Sequence, residues 1–335
     1  MSWRDFLVLE RTPIGHRANY ARTVAVILDA TCRIGFSPRV MLDALKVRHL
    51  VITTFESAPA RYLGLMVLRS LTGRRSTVII TRSHVPATGR KLRAKLKAVG
   101  HGVLTRLSLV QRLTITPPVD PLALNAATYI EDIEFWDLPE AVLSEPNETP
   151  LSARAVQIAG SRPIILVTGT LERSKGLLFL GAVLKSRPAL HERFAVICCG
   201  LVEPADRAVL AELASNVDLW EDRYLDNDEI YSLYSAATAV WCCYDISYDV
   251  SSGVFGRAVQ FARPTIVRAG SIIDRLQDRL SNGLKLDYGD AMGSARQLLT
   301  WTPAAGIPIS RYHGGAERLR KLVHSHAGVV ERGER

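Results

Sequence analysis

Short apolar runs alternate with stretches of helical spacing along most of the chain. Phe6–Leu9 (FLVL), His49–Thr54 (HLVITT), Ser76–Thr81 (STVIIT) and Arg112–Thr116 (RLTIT) read as strands. Each is an aliphatic, β-branched run of strand length bounded by turn-forming residues. Between them, Ala18–Arg33, Ala58–Leu71 and Gly89–Val110 carry helical periodicity. A second series begins with the strand Pro163–Thr168 and the helix Lys175–Leu184. It continues with strand Phe194–Cys199, helix Pro204–Ala214, short strand Val217–Trp220 and helix Asp226–Ala237. Strand Ala239–Tyr244, helix Phe255–Ala262 and strand Pro264–Arg268 complete it, and Arg311–Val329 reads as a final basic-polar helix. Strands separated by helices predict parallel α/β layers.

Between the two series, Glu131, Asp132, Glu134, Asp137, Glu140, Glu145 and Glu148 sit among prolines with few apolar blocks, which suits a linker or surface crossover. The expected organisation is a first α/β domain over 1–130, a linker over 131–160, a second domain over 161–308, and a helix and tail over 309–335. No internal repeat and no low-complexity tract interrupts it.

Composition narrows the class. With 47% hydrophobic and 22% charged residues the 335-residue chain reads as globular. No apolar run reaches the roughly 18–20 residues of a membrane span, and the start Met1-Ser2-Trp3-Arg4-Asp5 lacks the layout of a cleaved signal. Cys32, Cys198, Cys199, Cys242 and Cys243 form an odd set with no C-x-x-C. Two adjacent pairs within apolar runs read as buried, reduced thiols of a cytosolic protein.

Two segments could carry chemistry. Thr168-Gly169-Thr170-Leu171-Glu172-Arg173-Ser174-Lys175-Gly176 leaves a strand and enters a helix. That is the position at which open α/β sheets bind ligands, and a flexible turn beside a Lys or Arg suits phosphate. Ser247 to Arg257 follows the strand Ala239–Tyr244. There Ser251, Ser252, Gly253 and Val254 are suited to a helix N-terminus, whose dipole attracts anions, although a serine at that place also serves as a simple N-cap. Asp226-Asn227-Asp228 opens a predicted helix, where N-capping explains it better than metal binding, so no metal ion or cofactor is expected.

Taken in order, six landmarks resemble the C-terminal half of the GT-B glycosyltransferases of family 4: Gly169-Thr170-Leu171, Lys175-Gly176, Cys199-Gly200, Tyr234-Ser235-Ala236-Ala237, Gly253-Val254-Phe255-Gly256 and Ala262-Arg263-Pro264-Thr265-Ile266. More weakly, Ile115-Thr116-Pro117-Pro118-Val119-Asp120 and the turn Gly15-His16 resemble parts of that family's acceptor domain. The resemblance implies two Rossmann-like domains facing a cleft, with the last helix crossing back to the first domain. It implies transfer of a sugar from a nucleotide-diphosphate donor, with retention of anomeric configuration, to a glycan or lipid-linked acceptor in cell-surface polysaccharide synthesis. It assigns donor binding to Gly169, Thr170, Arg173, Lys175, Ser251, Ser252, Gly253, Val254 and Arg257, catalysis to His84 and Asp249, and the acceptor side to Gly15 and His16. Two departures stand out. The family's Arg after the turn glycine is Thr170 here, with Arg173 a nearby substitute. Of its two spaced glutamates the first falls on Asp249 and the second on Arg257, which cannot accept a ribose hydrogen bond. Glu10 and Glu56, each after a strand, are further acidic groups; Glu10 would be the general base of an inverting enzyme.

The net charge of +9 is concentrated: Ser57 to Val119 contains twelve Lys or Arg and no acid, while the rest of the chain has 30 basic against 33 acidic groups. Within it, Leu92, Leu96, Val99, Val103 and Leu107 form an apolar stripe on Gly89–Arg112 among cations. A basic amphipathic helix is a signature of binding to an anionic membrane surface, which would place the protein on the inner face of a membrane. Three other readings remain at this point: a solvated helix face, a non-catalytic binding protein of the same fold, and nucleic-acid binding by the basic window. The single aromatic there, Tyr62, offers no base-stacking platform, so no nucleic acid is expected as a partner. A nucleotide-sugar epimerase would need more converging carboxylates than Asp249.

Overall fold

Strands that are apolar on both faces need cover on both faces, and parallel sheets flanked by helices provide it. A computed structural model of the chain describes residues 5–13, 16–81, 102–115, 127–280, 283–304 and 314–328. It contains two all-parallel six-stranded sheets. Contacts group the chain into one unit of Met1–Ile133 with Tyr312–Arg335, and a second of Glu134–Arg311.

In the first unit the strands are β1 (Phe6–Glu10), β2 (Thr31–Ile34), β3 (His49–Ile52), β4 (Arg75–Ile80), β5 (Val110–Thr114) and β6 (Thr128–Tyr129). Their spatial order is β2-β1-β3-β4-β5-β6. Every residue of β1 and β3 is buried, and Leu7, Leu9, Leu50, Ile52, Val78 and Ile80 share one core with Tyr62 and Met66 of helix Pro59–Leu71. The second unit contains β7 (Ile164–Thr168), β8 (Ala195–Gly200), β9 (Leu219–Asp222), β10 (Ala239–Cys242), β11 (Thr265–Arg268) and β12 (Gly283–Leu286), ordered β12-β11-β10-β7-β8-β9. Its core joins Ile165, Val167, Val196, Cys198, Trp241 and Ile266 to the helix Leu177–Ser186.

Several elements differ from the sequence expectation. The helix expected over Ala18–Arg33 ends at Ile27. The chain turns through Asp29, whose φ is 48°, and Thr31–Ile34 pairs in parallel with β1. An edge strand is half exposed, so β2 lacks the continuous apolar run by which its neighbours are recognised. The stretch read as a linker folds onto the second unit and contains a helix, Pro150–Ala159. Thr149 Oγ1 accepts from the Ser152 amide at 3.3 Å, and Ser152 Oγ accepts from the Thr149 amide at 3.0 Å. Pro150 opens the helix at its first position, where an N–H would have no partner within the helix. The helices Pro38–Lys46, Ile272–Leu280 and Ala291–Thr300, together with β12, are further elements the pattern did not reveal.

The final helix, Gly315–Ala327, returns to the first unit, as expected. Arg320 Nε donates to the Ile27 carbonyl at 2.8 Å, Gln111 Nε2 to that of Leu322 at 3.0 Å, and Arg75 Nη1 to that of His326 at 2.7 Å. The basic window is partly structural. Arg69 is fully buried, donates to the carbonyls of Val47, Arg48 and Arg75 at 3.0, 3.2 and 2.7 Å, and to Ser76 Oγ at 2.9 Å. Arg74 donates to the Val47 carbonyl at 3.2 Å. Among the described residues, no helix is long and apolar enough to cross a membrane.

His49 lies buried on β3 between the rings of Phe6 and His326, 5.4 and 5.6 Å away. Thr77 donates its hydroxyl to Gln111 Oε1 at 2.9 Å, so it accepts from His49 Nε2, also at 2.9 Å. That fixes the proton on Nε2 and leaves Nδ1 without a hydrogen-bond partner. Burial, then the charges of His326, Arg69, Arg75 and His324, push the imidazole pKa down from 6.5 to about 3. The unfolded chain therefore takes up a proton below pH 6.5 that the folded chain refuses until about pH 3. Stability is lost across that window as pH falls, by up to about 1.4 kcal/mol per pH unit. Urea unfolding at pH 7.5 and 5.0 should show this loss in the wild type, and His49→Phe should reduce it by about 2 kcal/mol.

Candidate functional site

Strands β7 and β10 are neighbours in the second sheet, so the loops that leave their C-terminal ends lie side by side. The first leaves Thr168 through Gly169, whose φ is 93°. It bonds to the loop after β8 (Leu171 N to Leu201 O, 2.9 Å) and forms a 3-10 turn, Arg173–Lys175. Gly176, with φ 72°, then starts the helix Leu177–Ser186. The second loop runs from Cys243 to Ser252 and starts the helix Gly253–Gln260.

Steric limits hold these loops together. A Cβ on Gly176 would lie 1.9 Å from the Cys243 carbonyl oxygen, and one on Gly200 would lie 1.9 Å from that of Gly169. A Cβ on Gly169 would stand 3.2 Å from Val254 Cγ2. The turn after β7 thus abuts the first turn of helix Gly253–Gln260, and the two segments singled out in the sequence meet.

The side chains have distinct partners. Lys175 Nζ lies over the rings of Tyr244 and Tyr248, 4.4 and 3.9 Å from their centroids; among the described residues no carboxylate forms an ion pair with it. Arg173 donates from Nε to Asp206 Oδ1 at 2.7 Å, while its amide donates to Oδ2 at 2.9 Å. The backbone and guanidinium bonds from Arg173 hold the Asp206 carboxyl below its usual range. Thr170 is exposed. Ser252 is buried and does not cap its own helix; its Oγ shares a hydrogen bond with Tyr244 Oη at 2.9 Å. Tyr234 Oη donates to the Val254 carbonyl at 3.1 Å. Ser251 precedes them in the loop.

Asp249 turns towards β11: its Oδ1 accepts from the Ile272 amide at 2.8 Å and from Arg268 Nη2 at 3.2 Å. Arg257 forms a two-pronged ion pair with Asp137, one contact at 3.0 Å, with both side chains largely buried. Gln260 Nε2 also donates to Asp137 Oδ1, at 2.8 Å, and to the Glu134 carbonyl at 2.7 Å. Segment 134–137 lies so close to this helix that a Cβ on Gly253 would meet Glu134 Oε2 at 2.1 Å, and one on Gly256 the Glu134 carbonyl oxygen at 2.8 Å. Arg257 therefore already has a matched carboxylate.

His84 and Gly15 lie outside the described residues, as do the side chain of His16, residues 82–101 of the basic window and residues 116–120. Glu10 is buried at the end of β1, where Oε1 accepts from the Thr12 amide at 3.0 Å and Oε2 from the hydroxyls of Thr53, at 3.2 Å, and Thr54. Glu56 Oε2 accepts from Thr81 Oγ1 at 3.0 Å. Asp226 caps its helix, accepting from the Glu229 amide at 2.9 Å. All five cysteines are free thiols, four of them buried, and burial raises Cys199 and Cys242 to about 12.

Sequence reasoning missed Tyr244, Tyr248, Glu134 and Asp137. The tyrosines lie in the loop between β10 and Ser252, which is a legible place in an α/β sheet. Asp137 is 120 residues from Arg257, and no local pattern marks it.

Two parallel sheets with flanking helices, each in a Rossmann-like unit, define the GT-B fold. No family model and no curated protein sequence matches the chain. Solved structures do. The chain is similar to a sucrose-phosphate synthase from Thermosynechococcus elongatus, with TM-score 0.62 and 13% identity over 96% of both chains. It is also similar to Anabaena Alr3699/HepE in complex with UDP and glucose, with TM-score 0.63 and 13% identity over 96% of this chain and 95% of that one. A trehalose-6-phosphate protein from E. coli bound with UDP-2-fluoro glucose matches with TM-score 0.60 and 10% identity, over 96% and 95%. The two Rossmann-like units expected from the sequence are found.

Gly176→Ala should lower the unfolding free energy by at least about 3 kcal/mol, because it adds a collision with Cys243 O to the strain of a positive φ. Gly270→Ala, at φ 75° with open space around it, should cost only about 1–2 kcal/mol. Equal losses in urea titrations would mean that the close approach at Gly176 is absent.

Proposed function

We propose that the protein is a glycosyltransferase that moves a sugar from a nucleotide-diphosphate donor to a glycan or lipid-linked acceptor in cell-surface polysaccharide synthesis, with retention of configuration. One observation carries the reading. Lys175, the Gly169 turn and the first turn of helix Gly253–Gln260 adjoin at the C-terminal ends of neighbouring parallel strands, where a cation and a helix dipole suit a diphosphate. The likeness to proteins bound with UDP or a UDP-sugar analogue supports it.

In this reading Gly169, Thr170, Arg173, Lys175 and Ser251 to Val254 form the donor site, and His84 is the histidine that the resemblance assigns to catalysis. Lys175 stabilises the departing diphosphate as negative charge develops on it. Asp249 serves the sugar through the oxygen that neither Arg268 nor Ile272 occupies. Arg257 stands outside the donor set because Asp137 matches its charge and both side chains are largely buried, whereas Arg173, though paired with Asp206, keeps its side chain mostly exposed. No metal ion or cofactor is assigned. The basic residues of 89–112 would meet an anionic membrane carrying the acceptor on its cytoplasmic face, which binding to anionic but not neutral vesicles would support.

A thermal-shift screen of nucleotides and nucleotide sugars should find at least one that raises the melting temperature by mass action. Lys175→Ala should then reduce turnover with that donor on the order of 100-fold while the unliganded protein keeps its fold. Near-wild-type turnover in this variant would overturn the site, and a screen without any response would favour a non-catalytic protein.

A further inference from the structure

We propose that Tyr244 and Tyr248 are positioning residues that bracket the Lys175 ammonium between their rings and so present it, preordered, to the phosphates of the donor. The proposal rests on the glycosyl-transfer reading and deepens it.

A lysine on a flexible four-carbon stem loses rotamer freedom when it grips a phosphate, and a carboxylate that held it in place would compete with that phosphate. An aromatic bracket avoids the competition. The ring face attracts the ammonium through its quadrupole and offers no hydrogen-bond acceptor that the ligand must displace. The rings of Tyr244 and Tyr248 meet edge to face, with centroids 5.1 Å apart and planes at 80°, and Lys175 Nζ is 4.4 and 3.9 Å from those centroids. The nearby acids are turned elsewhere. Asp245 accepts from the amide and hydroxyl of Ser247 at 2.8 and 2.6 Å and from Tyr288 Oη at 3.0 Å. Glu172 Oε1 accepts from Ser174 Oγ at 2.7 Å.

The bracket is anchored from both ends. Tyr244 is buried, and its Oη bonds Ser252 Oγ and Cys242 Sγ, at 2.9 and 3.7 Å. The same residue therefore holds Lys175 by its ring face and Ser252, which precedes helix Gly253–Gln260, by its hydroxyl. On the other side, the Asp245 amide donates to the Ser174 carbonyl at 3.1 Å, tying the tyrosine loop to the turn that carries Lys175.

Tyr248 is half-buried and has no anchoring role of this kind, so it is the residue to vary. Inorganic pyrophosphate, titrated calorimetrically, is the probe. Tyr248→Leu should weaken its binding about fivefold, the scale of one cation–π contact, and Tyr248→Phe should restore affinity to within about twofold because the ring face remains. In a Lys175→Ala background Tyr248→Leu should change nothing further. An equal loss with and without Lys175, or a Phe variant as weak as the Leu variant, overturns the proposal. A second measurement needs no ligand. After reductive ¹³C-methylation, the Lys175 resonance, identified by its disappearance in Lys175→Arg, should be shifted upfield by the rings and move back in Tyr248→Leu. A ring-shifted signal in a wild type that binds no pyrophosphate would overturn the donor reading and the positioning role with it. An unshifted signal would overturn the bracket alone, leaving the donor reading to the nucleotide screen.

Discussion

The second unit depends on backbone passing backbone at less than a side chain's distance. The Gly169 carbonyl lies where a Gly200 Cβ would be, and the Cys243 carbonyl where a Gly176 Cβ would be. These crossings link β7 to β8 and the turn after β7 to the end of β10. Because β-strands stand about 4.8 Å apart, loops that leave neighbouring strands normally diverge to make room for their side chains. Glycine removes that requirement and lets the loops touch. The convergence of a basic turn with a helix start follows from this packing rule.

On that frame, charge is matched in two different ways. Arg173, Arg257 and Arg268 each have a carboxylate, on Asp206, Asp137 and Asp249 respectively. Planar guanidinium forks suit such fixed, directional pairs. Lys175 instead rests on aromatic faces, which hold a point charge without neutralising it. Of these four cations, it is the one that no carboxylate pairs with among the described residues.

Much of the fold was legible in the sequence because buried parallel strands are written as uninterrupted apolar runs. Where the burial was one-sided or the cap decisive, the pattern failed. Thr31–Ile34 is an edge strand and, as far as Arg33, reads as the tail of a helix, and Pro150, in the stretch read as a linker, begins a helix. The candidate site was legible to the extent that it is local: Gly169, Lys175 and Ser252-Gly253 are found by their positions after strands. Arg257 illustrates the remainder. Its departure from the family pattern was visible, but its partner Asp137 lay in a stretch whose acidic, proline-rich composition suggested solvent exposure, and only the packing of segment 134–137 on helix Gly253–Gln260 brings the two together. The excess positive charge also changes meaning, since Arg69 in the core and Arg74 at its edge serve backbone carbonyls rather than an external surface.

The distribution of thiols has a practical side. Cys198, Cys199, Cys242 and Cys243 are sealed in the second sheet and its exit, while Cys32 sits half-exposed on the edge strand of the first. A maleimide dye offered to the native chain therefore has one accessible address, on the first unit. The four sealed sulfurs become reactive only when the second sheet opens, so the rate of their alkylation reports the opening of one unit independently of the other, without any engineered label.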